Sequence, residues 1–171
     1  LCWTFQAFHR KAHTIFTDGG NSAMGYSLAA AIGAKIEKPE KQVVCIIGDG
    51  GFQVNIQELQ TLIGYGLAIT IIVFNNHGYG IIKQFQDSNL NSRYEASGKG
   101  YSDPDFVAVA KAYGLDAYRV ENVDDLRPEM LADGKSTLIE VCLDENTLIE
   151  PKVEKGRPIN DQFPQVDDEE F

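Results

Sequence analysis

Basic residues are in short supply in this chain. Its 171 residues carry 15 Lys and Arg against 25 Asp and Glu, a formal net charge of −10, and the Lys and Arg do not gather in any one stretch. Phosphate-based binding of nucleic acid needs such a cluster, so that class is excluded. Long apolar runs are missing as well. Stretches such as Leu67–Phe74 fall far short of the roughly 20 residues that cross a bilayer, and no charged-then-apolar leader opens the sequence. The expectation is a soluble, cytoplasmic protein without nucleic-acid or membrane partners. Cysteine is sparse too: Cys2, Cys45 and Cys142 cannot all pair. Two of the three sit in apolar, strand-like runs, where a thiol behaves as a small hydrophobe. Apolar residues are not lacking. At 43% hydrophobic and 23% charged the chain should fold, as one domain able to bury about 70% of its unfolded surface.

Strand and helix patterns alternate along the chain. His13–Thr17 reads as a short strand, and Met24–Lys38 as an Ala-rich helix ended by Pro39. Gln42–Ile47 and Leu67–Phe74 are continuous apolar runs rich in β-branched residues, the pattern of parallel strands covered on both faces. Between them Gly48–Gly51 breaks the chain, and Asn55–Tyr65 has helical spacing. A helix over Tyr79–Asp87, a polar loop over Ser88–Ser102, and a helix capped by Asp103-Pro104 and running to Ala112 follow. Ala117–Val120 reads as a strand, Val123–Ala132 as a helix and Thr137–Leu143 as the last strand. Such an order predicts an α/β fold, a three-layer α/β/α arrangement around a mostly parallel sheet, over residues 1–150. Residues 151–171, interrupted by prolines and closing on Asp167-Asp168-Glu169-Glu170, read as an extended acidic tail, either solvated or lying on a neighbouring subunit.

The chemically suggestive residues stand where the two strongest strands stop. Gly48-Asp49-Gly50-Gly51 follows the first, and Asn75-Asn76-His77-Gly78-Tyr79-Gly80 the second. Asp49 and Asn76 are 27 residues apart, the length of one crossover unit, and ligands of parallel sheets bind at the carboxyl ends of strands. A carboxylate, an amide oxygen and a nearby peptide carbonyl are hard donors suited to Mg²⁺ or Ca²⁺ rather than zinc. One acid alone holds such an ion weakly, so the sparse set predicts a metal-bridged phosphate ester. Gly50 and Gly51 let backbone approach phosphate, and the following helix starts offer free N–H groups. Each motif alone is an ordinary turn. Both at one fixed separation should arise by chance on the order of once per million registers. A dinucleotide reading fails, because Gly48–Gly51 lacks the G-x-G-x-x-G spacing and Asn75 stands where an acid is needed.

GDG followed by NN at this distance resembles the thiamine diphosphate (ThDP) enzymes. More narrowly, Asp18–Tyr26 (DGGNSAMGY) followed by Ala29–Ala34 is similar to the GAMG…PAAIGA segment of acetolactate synthase large subunits. The resemblance covers roughly residues 3–150 and implies the C-terminal, diphosphate-binding domain of a larger enzyme, with the thiamine diphosphate-binding fold. It implies that Asp49, Asn76 and the carbonyl of Gly78 hold Mg²⁺, and that Gly48, Gly50, Gly51, Tyr79, Gly80 and Ile81 bind cofactor, largely through backbone amides. Ser22 and Met24 would lie against the aminopyrimidine ring, Met24 as the apolar wedge that bends the cofactor.

The same resemblance implies a 2-oxo acid substrate such as pyruvate, decarboxylation followed by carboligation, and a place in branched-chain amino acid biosynthesis. The activating glutamate would lie on the pyrimidine-binding domain of a partner subunit in a homo-dimer or tetramer, so no catalytic residue is expected in this chain and the fragment alone should be inactive. Glu58 and Glu95 do not replace it. Whether a flavin (FAD) sits on an absent domain is left open. Two departures stand out: Ala29 where the family has proline, and His77-Gly78-Tyr79-Gly80 where many acetolactate synthases carry bulkier residues. They leave a related 2-oxo acid decarboxylase or a sugar-nucleotide carboligase open, and outside enzymes a nucleotide-binding or assembly module with an empty site. His77 is a candidate substrate contact, and Ser88–Ser102, with Arg93, Tyr94 and Lys99, a candidate cover.

Overall fold

The computed structural model describes Thr4 and residues 15–153, 156–157 and 161–163. Strands β1 (Val43–Gly48), β2 (Ile69–Asn75), β3 (Asp116–Val120) and β4 (Thr137–Cys142) form a parallel sheet in the order β1-β2-β4-β3. Parallel neighbours cannot be joined by hairpins. Helices α1 (Tyr26–Glu37), α2 (Asp49–Val54), α3 (Glu58–Gly64), α4 (Gly80–Asn89) and α5 (Phe106–Tyr113) therefore lead into or link the strands, and the expected α/β class is what the chain forms.

The period-2 alternation of each strand divides the sheet into two faces. On one, Leu28, Ala31 and Ile32 of α1, Leu59 and Leu62 of α3, and Phe106 and Ala110 of α5 pack on Cys45, Ile71, Leu138 and Ala117 in one core. In α1 the spacing of Leu28, Ala31, Ile32 and Lys35 puts all four on the buried side, where the Lys35 ammonium donates to the carbonyl of Lys41. Phe52 meets Phe106 edge to face at 5.4 Å, a contact worth about 1 kcal/mol beyond its burial. On the other face Val120, Ile139 and Met130 form a smaller cluster. β2 is central and almost wholly apolar, whereas Val44 on β1, an edge strand among the described residues, is 46% exposed. Burial pushes the Cys45 thiol up to about 12, in keeping with a small hydrophobe. Cys142 is free and half-buried, and Cys2 lies outside the described residues.

Several elements differ from the sequence expectation. Ile15–Thr17 are not in a strand, and His13 lies outside the described residues. The first helix begins at Tyr26 rather than Met24, because Gly25 has φ 83, a left-handed conformation that ends the preceding turn. Gly48–Gly51 is not a plain breaker: β1 runs directly into α2, and the expected Asn55–Tyr65 helix is only α3. Asp105, not Asp103, caps α5, accepting from the Ala108 amide at 3.0 Å, so Pro104 precedes the helix. Val123–Ala132 is two 3-10 turns, Val123–Asp125 and Pro128–Leu131, since a mid-helix Pro128 would lose a hydrogen bond and clash. Beyond Glu150, Lys152–Val153 and Gln162–Phe163 pair antiparallel as β5 and β6, and the acidic end lies outside the described residues. Among those described, no helix is long and apolar enough to cross a membrane.

Candidate functional site

The register Gly48↔Phe74 in the β1–β2 ladder places both strand ends side by side. At the first end Gly48 is extended, with φ −83 and ψ 163, and Asp49 is already the first residue of α2. Its side chain therefore projects from a helix start fixed to the sheet. Asp49 is 3% exposed. Gly50 behind it has no room for a side chain: a Cβ would lie 2.2 Å from Tyr79 Cε1 and 3.3 Å from the Met24 methyl. Gly51 packs against Ile47 and the backbone of Gly25, whose carbonyl accepts from Asn55 Nδ2 at 3.1 Å.

The second end turns through His77, which has φ 52. A non-glycine residue there needs support, and Asn75 supplies it. The Asn75 side chain is buried; its Oδ1 accepts from the His77 amide at 2.9 Å, and its Nδ2 donates to Glu140 and Asp103, each at 2.8 Å. Glu140, 3% exposed, accepts from Arg119 Nε at 2.9 Å, and Arg119 Nη2 reaches Asp105 at the same distance. Asp103 also bonds His77 Nδ1 at 3.0 Å. This network satisfies the buried carboxylate with partners from β2 and β3.

The two ends meet at Asp49. Its Oδ2 accepts from the Gly78 amide at 3.0 Å and from the Tyr101 hydroxyl at 2.8 Å. Burial pushes the Asp49 carboxyl above its ordinary value, while hydrogen bonds from Tyr101, Gly50 and Gly78 pull it back and nearby Asp103 adds to the rise. Burial and the facing Asp49 raise the Tyr101 phenol. Tyr101 stacks edge to face on Tyr79 at 4.9 Å. The Tyr79 amide donates to the Ser97 carbonyl at 2.9 Å, and the Ser97 hydroxyl bonds Gln86. Asn76 is half-buried, its Nδ2 lying 2.6 Å from where a Cβ on Gly80 would sit. A buried carboxylate at the start of α2, and a side-chain amide and the carbonyl of a buried Gly78 in the turn after β2, are all hard oxygen donors that could hold a divalent cation with a phosphate. Glycine backbone beside them could admit the phosphate closely.

Among the sequence candidates, Asp49, Gly50, Gly78, Tyr79 and Met24 are thus drawn together, Gly51 lies behind them, and Asn76 and Gly80 abut one another. Gly48 ends β1. Ile81 opens α4 and is 58% exposed. Ser22 stays in its own turn, donating from both its amide and hydroxyl to the carbonyl of Asp18. His77 is turned to Asp103. Ser88–Ser102 is not loosely attached: Asp87 accepts from Ser92 at 2.6 Å and Tyr94 at 2.7 Å, which hold its carboxyl below the usual range. Sequence reasoning missed Tyr101, Asp103, Arg119 and Glu140. The one available signal was Glu140, an acid inside an apolar strand run, which calls for a buried partner.

Comparison with known proteins agrees with this architecture. Residues 2–141 match the family model described as "Thiamine pyrophosphate enzyme, C-terminal TPP binding domain". The chain belongs to this family of thiamine pyrophosphate enzymes, as their C-terminal cofactor-binding domain. It is 37% identical over 159 residues to an acetolactate synthase large subunit of Lactococcus lactis subsp. lactis (strain IL1403), covering 90% of this chain and 27% of that protein. It is 41% identical over 118 residues to an acetolactate synthase of Arthrospira platensis, covering 69% of this chain and 20% of that one. Among solved structures, the thiamine diphosphate-dependent 4-hydroxybenzoylformate decarboxylase of Rhodococcus jostii RHA1 superposes with a TM-score of 0.63 at 30% identity, over 71% of this chain and 23% of that one. The chain thus spans about a quarter of the length of these relatives.

Proposed function

We propose that this domain anchors the diphosphate of ThDP through Mg²⁺ in a 2-oxo acid decarboxylating carboligase of the acetolactate synthase type. Asp49, Asn76 and the Gly78 carbonyl would hold the ion, Gly48, Gly50, Gly51, Tyr79, Gly80 and Ile81 would border the diphosphate, and Ser22 and Met24 would face the aminopyrimidine. The observation that carries this reading is the 3.0 Å bond from the Gly78 amide to Asp49, which ties both strand ends at one buried acid. When bound, the cofactor supplies stabilisation of the carbanion left by decarboxylation, while the protein contributes position and charge balance. The activating glutamate would come from the pyrimidine-binding domain of a partner subunit, in a cytoplasmic homo-dimer or tetramer serving branched-chain amino acid synthesis, and any FAD would belong to a different domain. Support for a partner comes from α4, whose Ile81, Ile82 and Phe85 are 58%, 49% and 55% exposed, an apolar patch of the kind that marks contact surfaces. The likeness to a decarboxylase structure favours a second reading, decarboxylation without ligation.

Calorimetry on the intact enzyme tests the anchor. Wild type is expected to take up ThDP only with Mg²⁺, and Asp49→Ala to lose that uptake at ordinary cofactor concentrations. Uptake of NAD instead, or an unimpaired Asp49→Ala enzyme, would refute the metal assignment. Product analysis with pyruvate, with and without a second carbonyl compound, separates ligation from simple decarboxylation.

A further inference from the structure

We propose that Tyr101 is a positioning residue for Asp49, orienting that carboxylate for the divalent cation; this rests on the metal reading above. Two donors from different elements converge on the same oxygen: the Gly78 amide at 3.0 Å and the Tyr101 hydroxyl at 2.8 Å, both on Oδ2. An ionised carboxylate has two oxygens and about four acceptor positions. Loading Oδ2 from two sides fixes the rotation of the carboxylate plane and turns Oδ1 into the oxygen presented to an ion. The Gly50 amide also bonds this carboxyl, but it belongs to the residue next in the chain, and the Tyr101 hydroxyl is the side-chain donor that holds the plane from across the site.

Tyr101 is itself held on several sides. Its ring stands at 79° to that of Tyr79 with centroids 4.9 Å apart, and its amide donates to the Gly98 carbonyl at 3.0 Å. The neighbouring Ser97 carbonyl accepts the Tyr79 amide, so the segment that carries Tyr101 is bonded to the residue following Gly78. A hydroxyl mounted this way restrains Asp49 as a fixed group. Partners of ligating carboxylates typically carry about 10–100-fold of metal affinity, although no other feature of the sequence marks Tyr101 as part of the site.

The test is Mn²⁺ binding to the intact enzyme at saturating ThDP, followed by electron paramagnetic resonance of the free ion. Tyr101→Phe removes one oxygen and keeps the ring on Tyr79. Its Mn²⁺ dissociation constant is expected to rise about tenfold, and in an Asp49→Ala background the same change should add nothing to the residual constant. Tyr65→Phe, 73% exposed on the turn after α3, should behave as wild type. A change under about twofold in Tyr101→Phe would overturn the inference. So would a drop in the unfolding temperature of metal-free protein with an unmoved Mn²⁺ constant, which is what a merely structural hydroxyl gives. If Asp49→Ala binds Mn²⁺ and ThDP like wild type, the metal reading itself fails, whatever Tyr101 does.

Discussion

The two strand ends at the site are built by opposite means. The β1 end is held by apolar packing and close backbone approach: α2 starts without a spacer, Phe52 is wholly buried against Phe106, and Gly50 lies under Tyr79 and Met24. The β2 end is held by polar side chains that reach across the sheet, from Asn75 to Glu140 and Arg119. Apolar packing carries no charge to titrate, whereas the polar brace depends on charge. One strand end should therefore respond to volume and the other to protonation and pairing.

The largest expected effect is on the packed side. Phe52→Ala should destabilise the fold by about 3–5 kcal/mol, read as a fall in the urea midpoint that is similar at pH 6 and pH 8. Next comes Arg119→Met, which leaves the Glu140 charge buried with only Asn75 as donor. The loss should be about 2–3 kcal/mol, toward the low side of that for broken buried pairs because the Arg119 side chain is 41% exposed. If the two variants show the same pH dependence, the contrast between the ends is wrong. The smallest effect concerns Asp105, whose carboxyl is held below its usual range by the Ala108 amide, with Arg119 adding to the fall. A carboxyl depressed in the fold adds stability above its unfolded pKa and loses it as pH drops through the folded value. Wild type should therefore be slightly more stable than Asp105→Asn at pH 6, with the gap closing below about pH 4. Urea titrations across that range measure it. A gap that widened toward acid would contradict the sign.

The packed end was the more legible one. Its β-branched run, its glycines and its acid are contiguous in the chain, so the stop of β1 and the neighbouring stop of β2 could be placed from sequence. The immediate start of α2 could not, because Gly50 and Gly51 carry poor helix propensity and only their crowded surroundings make them helical. The brace was hidden for another reason: Asn75 and Glu140 are 65 residues apart, and nothing local announces such a pair. Asp103 and Asp105 flank the same proline, and propensity alone does not say which one caps α5. Over Val123–Ala132 the expected helix is replaced by two 3-10 turns, since Pro128 interrupts the stretch. Tyr101 sits in a polar stretch without periodicity, where its partner is set by the tertiary fold.

The junction at Gly48-Asp49 has no linker at all. Loops between elements are where lineages insert, delete and experiment, and here that freedom is absent on one side and ample on the other, since residues 90–105 separate α4 from α5. Divergence in what such a domain accepts should therefore accumulate in the longer connection, while the acid rides unchanged on the edge of the sheet like a fixed datum against which every other part is adjusted.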